Sequence, residues 1–328
     1  MKKNFKNGFS VIELGVVVLV VITILSLIRF TENYFAQNKI DNANKYTQDS
    51  VVKSISDLVL WFETSDKSSF SEIEQEDLSA VSKWLGSSQF SQNQLSFEQK
   101  IANNRPNFVK SSINNLPVIE FNGVNSFLDI DLKEQLNFKN ISIFLVNLSK
   151  NFVNDQSTII SFKTNNNKLS LNNLKKEKFY NLQFTIDNNT KIIEPLNLSK
   201  DLTIKTPLII EISSSKTSIN FKINNQIVNQ FNYNFSADNI NKIVLGAYQT
   251  FQSNQDPSNI EYANFFHGQI AELIIFNRQL TEQESLEISQ YLQKKWAIKY
   301  AETQQNNQQH SIQPSPSEDS NPSDSSTK

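Results

Sequence analysis

The apolar run from Leu14 to Ile28 restricts the structures open to this chain more than any other feature. Between Phe9 and Phe30 the only strongly polar residues are Ser10, Glu13, Thr23, Ser26 and Arg29, and no proline interrupts them. A helix needs ~20 predominantly apolar residues to cross a bilayer core. This stretch suffices when Phe9 to Ile12 are included. Valine and isoleucine dominate it. They are mediocre helix formers in water, but lipid removes the alternative of solvating the backbone. Lys2, Lys3 and Lys6 precede the run, and a basic flank places that end in the cytoplasm, with the rest of the chain outside. Glu13 stands at the mouth of the run. A carboxylate there is costly unless it finds a partner.

A cleavable signal peptide would share the basic start but needs a small-residue cleavage site after its core. Arg29-Phe30-Thr31-Glu32-Asn33-Tyr34-Phe35 offers none. A plain signal anchor explains the lysines and the apolar run, but neither Glu13 nor the Gly8-Phe9 junction. Gly8-Phe9-Ser10-Val11-Ile12-Glu13 resembles the N-terminus of type IV prepilins and pseudopilins over about residues 1–35. In that family a prepilin peptidase cuts after the glycine and methylates the new N-terminal residue. The resemblance implies processing at Gly8 and Phe9, and an assembly role for Glu13 facing the N-terminal amine of a neighbouring subunit. Gly15 and the lack of proline before Pro106 depart from the commoner family pattern.

The 328 residues suit a stalk plus one large domain. Net charge is −2, and the short Lys175-Lys176-Glu177-Lys178 cluster reads as a solvated loop, so no nucleic-acid partner is expected. There is no cysteine, which excludes disulfides, thiolate metal sites and cysteine nucleophiles. An exported domain without disulfides depends on its core, and 24 phenylalanines can supply one.

From residue 30 to about 60, Phe30, Tyr34, Ile40, Ala43, Thr47, Val51, Ile55 and Leu58 recur at spacings that predict an amphipathic helix. From about 58 to 280 the pattern turns to short strands: Val118–Phe121, Ile141–Val146, Ser157–Phe162 and Leu208–Ile212. Ser218–Ile223 and Gln226–Val228 flank Asn224-Asn225, a hairpin signal because asparagine tolerates positive φ. Such strands without intervening helices predict a mainly β, antiparallel sandwich. Thr281-Glu282-Gln283-Glu284 is a capping box, and Ile288, Leu292 and Trp296 then share one helix face. Residues 301–328 are polar, lack a core and are expected to form a disordered tail. The expected domains are a leader (1–8), a transmembrane and stalk helix (9–57), a β domain (58–300) and the tail (301–328).

Within the β domain, Leu58-Val59-Leu60-Trp61-Phe62, Val81-Ser82-Lys83-Trp84, Arg105-Pro106 and Leu116 to Leu128 come in order. Gly246-Ala247, His267 to Arg278 and Tyr291 to Trp296 follow. This ordered set resembles concanavalin A-like, laminin-G-like jelly-roll domains, a fold that hosts lectins, calcium-dependent adhesion modules, glycosidases and inert spacers.

A catalytic site is not expected. Glu72 to Asp77 lies between serine-rich segments and reads as an acidic loop, and only His267 and His310 could serve a hydrolase triad. Asp129 and Asp131 would share one strand face, with Asn122 and Asn125 upstream, and make a candidate Ca2+ site. Trp84-Leu85-Gly86-Ser87-Ser88 lacks the aspartate common in relatives, and Gln269 stands where an acidic residue is common. Trp61, Trp84 and Trp296 read as core residues. Tyr248, Phe251 and Tyr262, with Phe265 and Phe266 nearby, make a candidate ligand rim around a polar loop.

The expected protein is a minor pilin or pseudopilin of a type IV pilus or type II secretion filament, anchored in a bacterial inner membrane. It would display a lectin-like head in the periplasm or on an extracellular filament, for adhesion or structural contacts. Its partners would be the prepilin peptidase, other pilin subunits, the lipid bilayer and a glycan or cell-surface ligand. The alternative is a membrane-anchored carbohydrate-binding module that does not polymerise.

Overall fold

The computed structural model describes residues 10–87, 95–151, 153–164, 168–176, 179–186, 189–193, 206–233, 235–250 and 261–299. It opens with one continuous helix, α1 (Val11–Gln48), of 38 residues, about 57 Å long at ~1.5 Å per residue. Val11 to Phe30 stay exposed to the surroundings, and the helix is long and apolar enough to cross a membrane. The Thr23 and Ser26 hydroxyls donate to the carbonyls of Leu19 and Ile22, so both polar groups in the run are satisfied within the helix.

The helix expected to reach about residue 60 stops at Gln48. The Asp49 N–H bonds back to Lys45 O, and Ser50 takes an extended conformation. A single 3-10 turn over Val51–Ser54 then leads into the first strand. Asp57, at φ +64, makes the left-handed corner.

The strands in chain order are β1 (Leu58–Glu63), β2 (Lys83–Leu85), β3 (Ser96–Glu98), β4 (Asn107–Val109), β5 (Val118–Asn122) and β6 (Leu128–Phe138). Then come β7 (Ser142–Ser149), β8 (Gln156–Lys163), β9 (Lys168–Lys176), β10 (Phe179–Ile186), β11 (Asn189–Ile193) and β12 (Pro207–Ser214). The series closes with β13 (Ser218–Ile223), β14 (Gln226–Asn232), β15 (Ala237–Leu245), β16 (Tyr248–Gln249), β17 (Tyr262–Ala263) and β18 (His267–Phe276), before the helix α2 (Glu282–Trp296). Among the described residues they form two eight-stranded antiparallel sheets and a two-stranded ribbon. The first sheet runs β14-β13-β12-β7-β18-β5-β4, with β1 also on β18, and the second runs β11-β10-β9-β8-β15-β6-β3-β2. The chain is therefore mainly β: a long N-terminal helix, an antiparallel sandwich and a short C-terminal helix.

Three apolar layers organise the head. Between the sheets, Phe62, Phe121, Leu145 and Phe221 meet Phe97, Leu128, Phe162 and Phe184. On the other face of the first sheet, Trp61, Phe144, Val146 and Ile274 pack against Ile288, Leu292 and Trp296 of α2, and against Ala43 of α1. A strand covered on both faces favours consecutive apolar residues, and Ile143 to Val146 of β7 are all apolar and buried. On the outside of the second sheet, Phe127, Val244 and Ala247 lie under the β16–β17 ribbon. Asn224 and Asn225, at φ +48 and +64, make the β13–β14 turn. Thr281 and Glu284 cap α2 reciprocally.

Candidate functional site

At the start of α1, Ser10 is the N-cap. Its hydroxyl accepts from the Glu13 N–H, and Glu13 Oε2 accepts from the Ser10 N–H at 2.8 Å. Glu13 thus finds a partner within its own helix. The Ser10-x-x-Glu13 spacing carries the same capping signal as Thr281-x-x-Glu284 and was legible in the sequence. Gly8 and Phe9 lie outside the described residues.

The second sheet brings Asp129 and Asp131 of β6 onto one outward face, as their spacing predicts. They converge on a side chain from the next strand and do not frame an open cavity. Lys242 of β15 pairs with Asp131 in register and places its ammonium 3.0 Å from both Asp129 Oδ2 and Asp131 Oδ1. Burial would lower the Lys242 pKa, but the two aspartates outweigh burial and hold it above its ordinary value. A divalent cation would compete with a fixed ammonium for the same oxygens. Asn122 is spent as well, because its side-chain oxygen accepts from the N–H groups of Val124, Asn125 and Ser126. The Asn125 amide reaches Asn103 O. Among the described residues no three His, Asp or Glu side chains form a metal-holding group.

The expected aromatic rim is assembled only in part. Tyr248 and Tyr262 share the β16–β17 ribbon, Tyr248 opposite Ala263. The Tyr262 ring stacks on Phe127 at 3.9 Å between centroids, and its hydroxyl donates to Asp129 at 2.6 Å. Burial and that bond both raise the Tyr262 pKa. Its face and its hydroxyl are therefore committed internally. Phe266 belongs to the core between the sheets, and Phe265 packs beneath the ribbon. Phe251 lies outside the described residues. His267 contacts Asn151 O through Nδ1. In the acidic loop, Glu74 is buried and accepts from the N–H and hydroxyl of Ser82, a structural role for a residue expected to be solvated.

The most unusual chemistry lies where stalk and head meet. Lys295 of α2 is fully buried, its ammonium 2.6 Å from Glu63 of β1 and 3.0 Å from Glu272 of β18. Glu272 also accepts from Trp61 Nε1, Trp296 Nε1 and the Tyr291 hydroxyl. Glu63 accepts from the Ser65 N–H and hydroxyl. Thr47 of α1 closes the network by accepting from Lys295 at 2.9 Å. Burial raises the Glu63 pKa, and Lys295 opposes it. The Lys295 pKa is raised because its two carboxylates outweigh the effect of burial. The tryptophans are core residues, as expected. The indole N–H groups of Trp61 and Trp296 find the Glu272 carboxylate, and that of Trp84 donates to the Glu63 backbone carbonyl. A glutamate inside the apolar run Ile270-Ala271-Glu272-Leu273-Ile274 and another closing the run Leu58 to Phe62 were the available signals for this network.

No family model matches the chain, and no curated protein matches it. Solved structures with a similar arrangement include the native heptameric SAP-like pentraxin from Limulus polyphemus, at 14% identity and TM-score 0.41, covering 51% of this chain and 79% of that one. The botulinum neurotoxin serotype G binding domain matches at 16% identity and TM-score 0.46 over 71% of this chain and 51% of that one. The serotype D ligand-binding domain in complex with N-acetylneuraminic acid matches at 14% identity and TM-score 0.43, covering 74% and 52%. The match thus spans about half the length of the neurotoxin domains. Similarities of this size concern the fold and carry nothing about a ligand.

Proposed function

We propose that this chain is a minor pilin or pseudopilin: a subunit cut after Gly8, held in a bacterial inner membrane by α1 and assembled into a type IV pilus or type II secretion filament. The head is displayed outside for adhesion or structural contacts. The observation that carries this reading is the division of α1 into two unlike halves. Val11 to Phe30 is an unpartnered apolar cylinder, whereas Ala43 and Thr47, on the same unbroken helix, are buried against the head. Such a helix can pack side by side with copies of itself while holding the head at its end. Cleavage would create an amine on Phe9, within reach of a neighbouring Glu13, and that ion pair would offset the cost of the carboxylate in lipid.

N-terminal sequencing and mass spectrometry of the protein from cells with and without a prepilin peptidase test this. A mature N-terminus of methylated Phe9, dependent on the peptidase, is expected. An intact leader in both strains would overturn the filament reading.

The Ser10–Glu13 capping box favours a second reading. It satisfies Glu13 within one chain, as a membrane-anchored binding module that never polymerises would require.

A further inference from the structure

A groove of about 550 Å³ lies between the end of α1 and the outer side of α2, a size in the range of small-ligand sites. Buried Tyr291 and half-buried Tyr46 are among its lining residues. Asn42 and Gln290 place one carboxamide on each wall, and both are exposed. Lys45 and Lys294 are matched by Asp49 and Glu287, so the lining is charge-balanced. Among the described residues no ion pair joins these lysines to these carboxylates. Lys294 rests its ammonium 4.7 Å above the Tyr46 ring. That contact marks the ring face as turned toward the groove, and an exposed lysine can swing away from it.

We infer that this groove binds a short neutral saccharide. A pyranose offers a C–H face for an aromatic ring and a periphery of hydroxyls that both donate and accept. Tyr46 supplies the ring, and Asn42 and Gln290 supply carboxamides that donate and accept at once. The balanced charges favour a neutral ligand, since an anion would meet Asp49 and Glu287 and a cation would meet Lys45 and Lys294. Apart from Lys294, which must leave the Tyr46 ring, the walls are preformed. Thr47, one residue from Tyr46, is fixed to Lys295, one residue from Lys294, through the buried network. Little ordering therefore opposes binding. Tyr262, on the outside of the second sheet, has its ring stacked on a buried phenylalanine and its hydroxyl bonded to Asp129, whereas the Tyr46 ring is covered only by an exposed lysine and Asn42 and Gln290 face solvent.

The test uses the full-length protein in a detergent without a sugar headgroup. Maltose, lactose and N,N′-diacetylchitobiose are the probes, with sialyllactose as a charged comparison. Saturation-transfer NMR and titration calorimetry should detect at least one of the neutral disaccharides. Tyr46→Ala and Gln290→Ala should each weaken it by about tenfold, the effect of losing ~1.4 kcal/mol, while Tyr262→Phe leaves Kd unchanged. Gln290 is exposed, so its variant should melt with the wild type and separates loss of ligand from loss of fold. The inference is overturned if no neutral disaccharide binds at millimolar concentration, if only sialyllactose binds, or if binding survives both groove variants. None of these outcomes bears on processing at Gly8, so the filament reading stands or falls separately.

Discussion

The Lys295 ammonium lies 2.6 Å from Glu63 Oε2, with the two side chains 0% and 1% exposed. The contact joins residues 232 positions apart and ties the last helix to the first strand directly beneath the stalk. Lys295→Met would leave Glu63 and Glu272 facing each other in the core without a cation. Removing one member of a buried ion pair costs about 3–5 kcal/mol. Denaturant unfolding of the full chain should show a loss of that order, and a loss within error of zero would refute the structural role.

Glu13 has two candidate partners, its own helix end and a neighbour's amine, and Glu13→Gln separates them. Glutamine retains the capping geometry but not the charge. If capping is the whole role, the Gln variant behaves as wild type and Glu13→Ala alone is impaired. If the charge sets subunit register, both variants insert into membranes and both fail to enter the filament fraction. The proposed function requires the second result.

Gly246 sits at φ +83, and a Cβ there would overlap the ring of Phe121 across the sandwich. Left-handed backbone and overpacking add, so Gly246→Ala should cost about 2–4 kcal/mol. A melting temperature equal to that of the wild type would mean that the two sheets give way more readily than their packing implies.

Arg278 and the Thr281 N–H hold the Glu284 carboxyl down to about 2. An unfolded glutamate titrates near ~4.3. The capped, ion-paired carboxylate therefore adds stability that is fully present above that value and is lost as pH falls toward 2. Melting temperatures recorded from pH 5 to pH 2 should fall less steeply for Glu284→Gln than for the wild type. Parallel curves would remove Glu284 from the account of acid sensitivity.

Lys242 occupies the space between Asp129 and Asp131. Millimolar calcium should therefore leave the melting temperature of the wild type unchanged, and chelation should do the same. Lys242→Ala vacates the position and should bring a calcium-dependent rise if the two aspartates can serve as ligands. A rise in the wild type would restore the calcium site expected from the strand spacing.

The elements legible in the sequence are those set by neighbours a few residues apart. The apolar run became the exposed half of α1, and Asn224-Asn225 became the turn between β13 and β14. Thr281-x-x-Glu284 became a helix cap, and the alternating runs near Val118, Ile143, Ile159 and Ile210 became strands. The fold class follows from these signals together. The helical spacing runs past the end of α1 because Val51 and Ile55 continue it, although they belong to the turn that brings the chain into the sandwich. The outward aspartate pair was legible from period-two alternation. Lys242 between the aspartates was not, because β15 lies more than a hundred residues away.

By itself the sequence determined a membrane-length helix with a carboxylate at its mouth, an antiparallel β domain and a capped final helix, since each rests on local periodicity or a local hydrogen bond. Only the tertiary structure decided what the charged side chains do. Tyr262 is spent on Asp129, Lys242 fills the gap between Asp129 and Asp131, and Lys295, within Lys294-Lys295-Trp296, is buried between two carboxylates. The physical reason is desolvation. Once folding removes a charge from water, it must find its counterpart wherever the topology brings one, and local spacing carries no record of which distant residue that is.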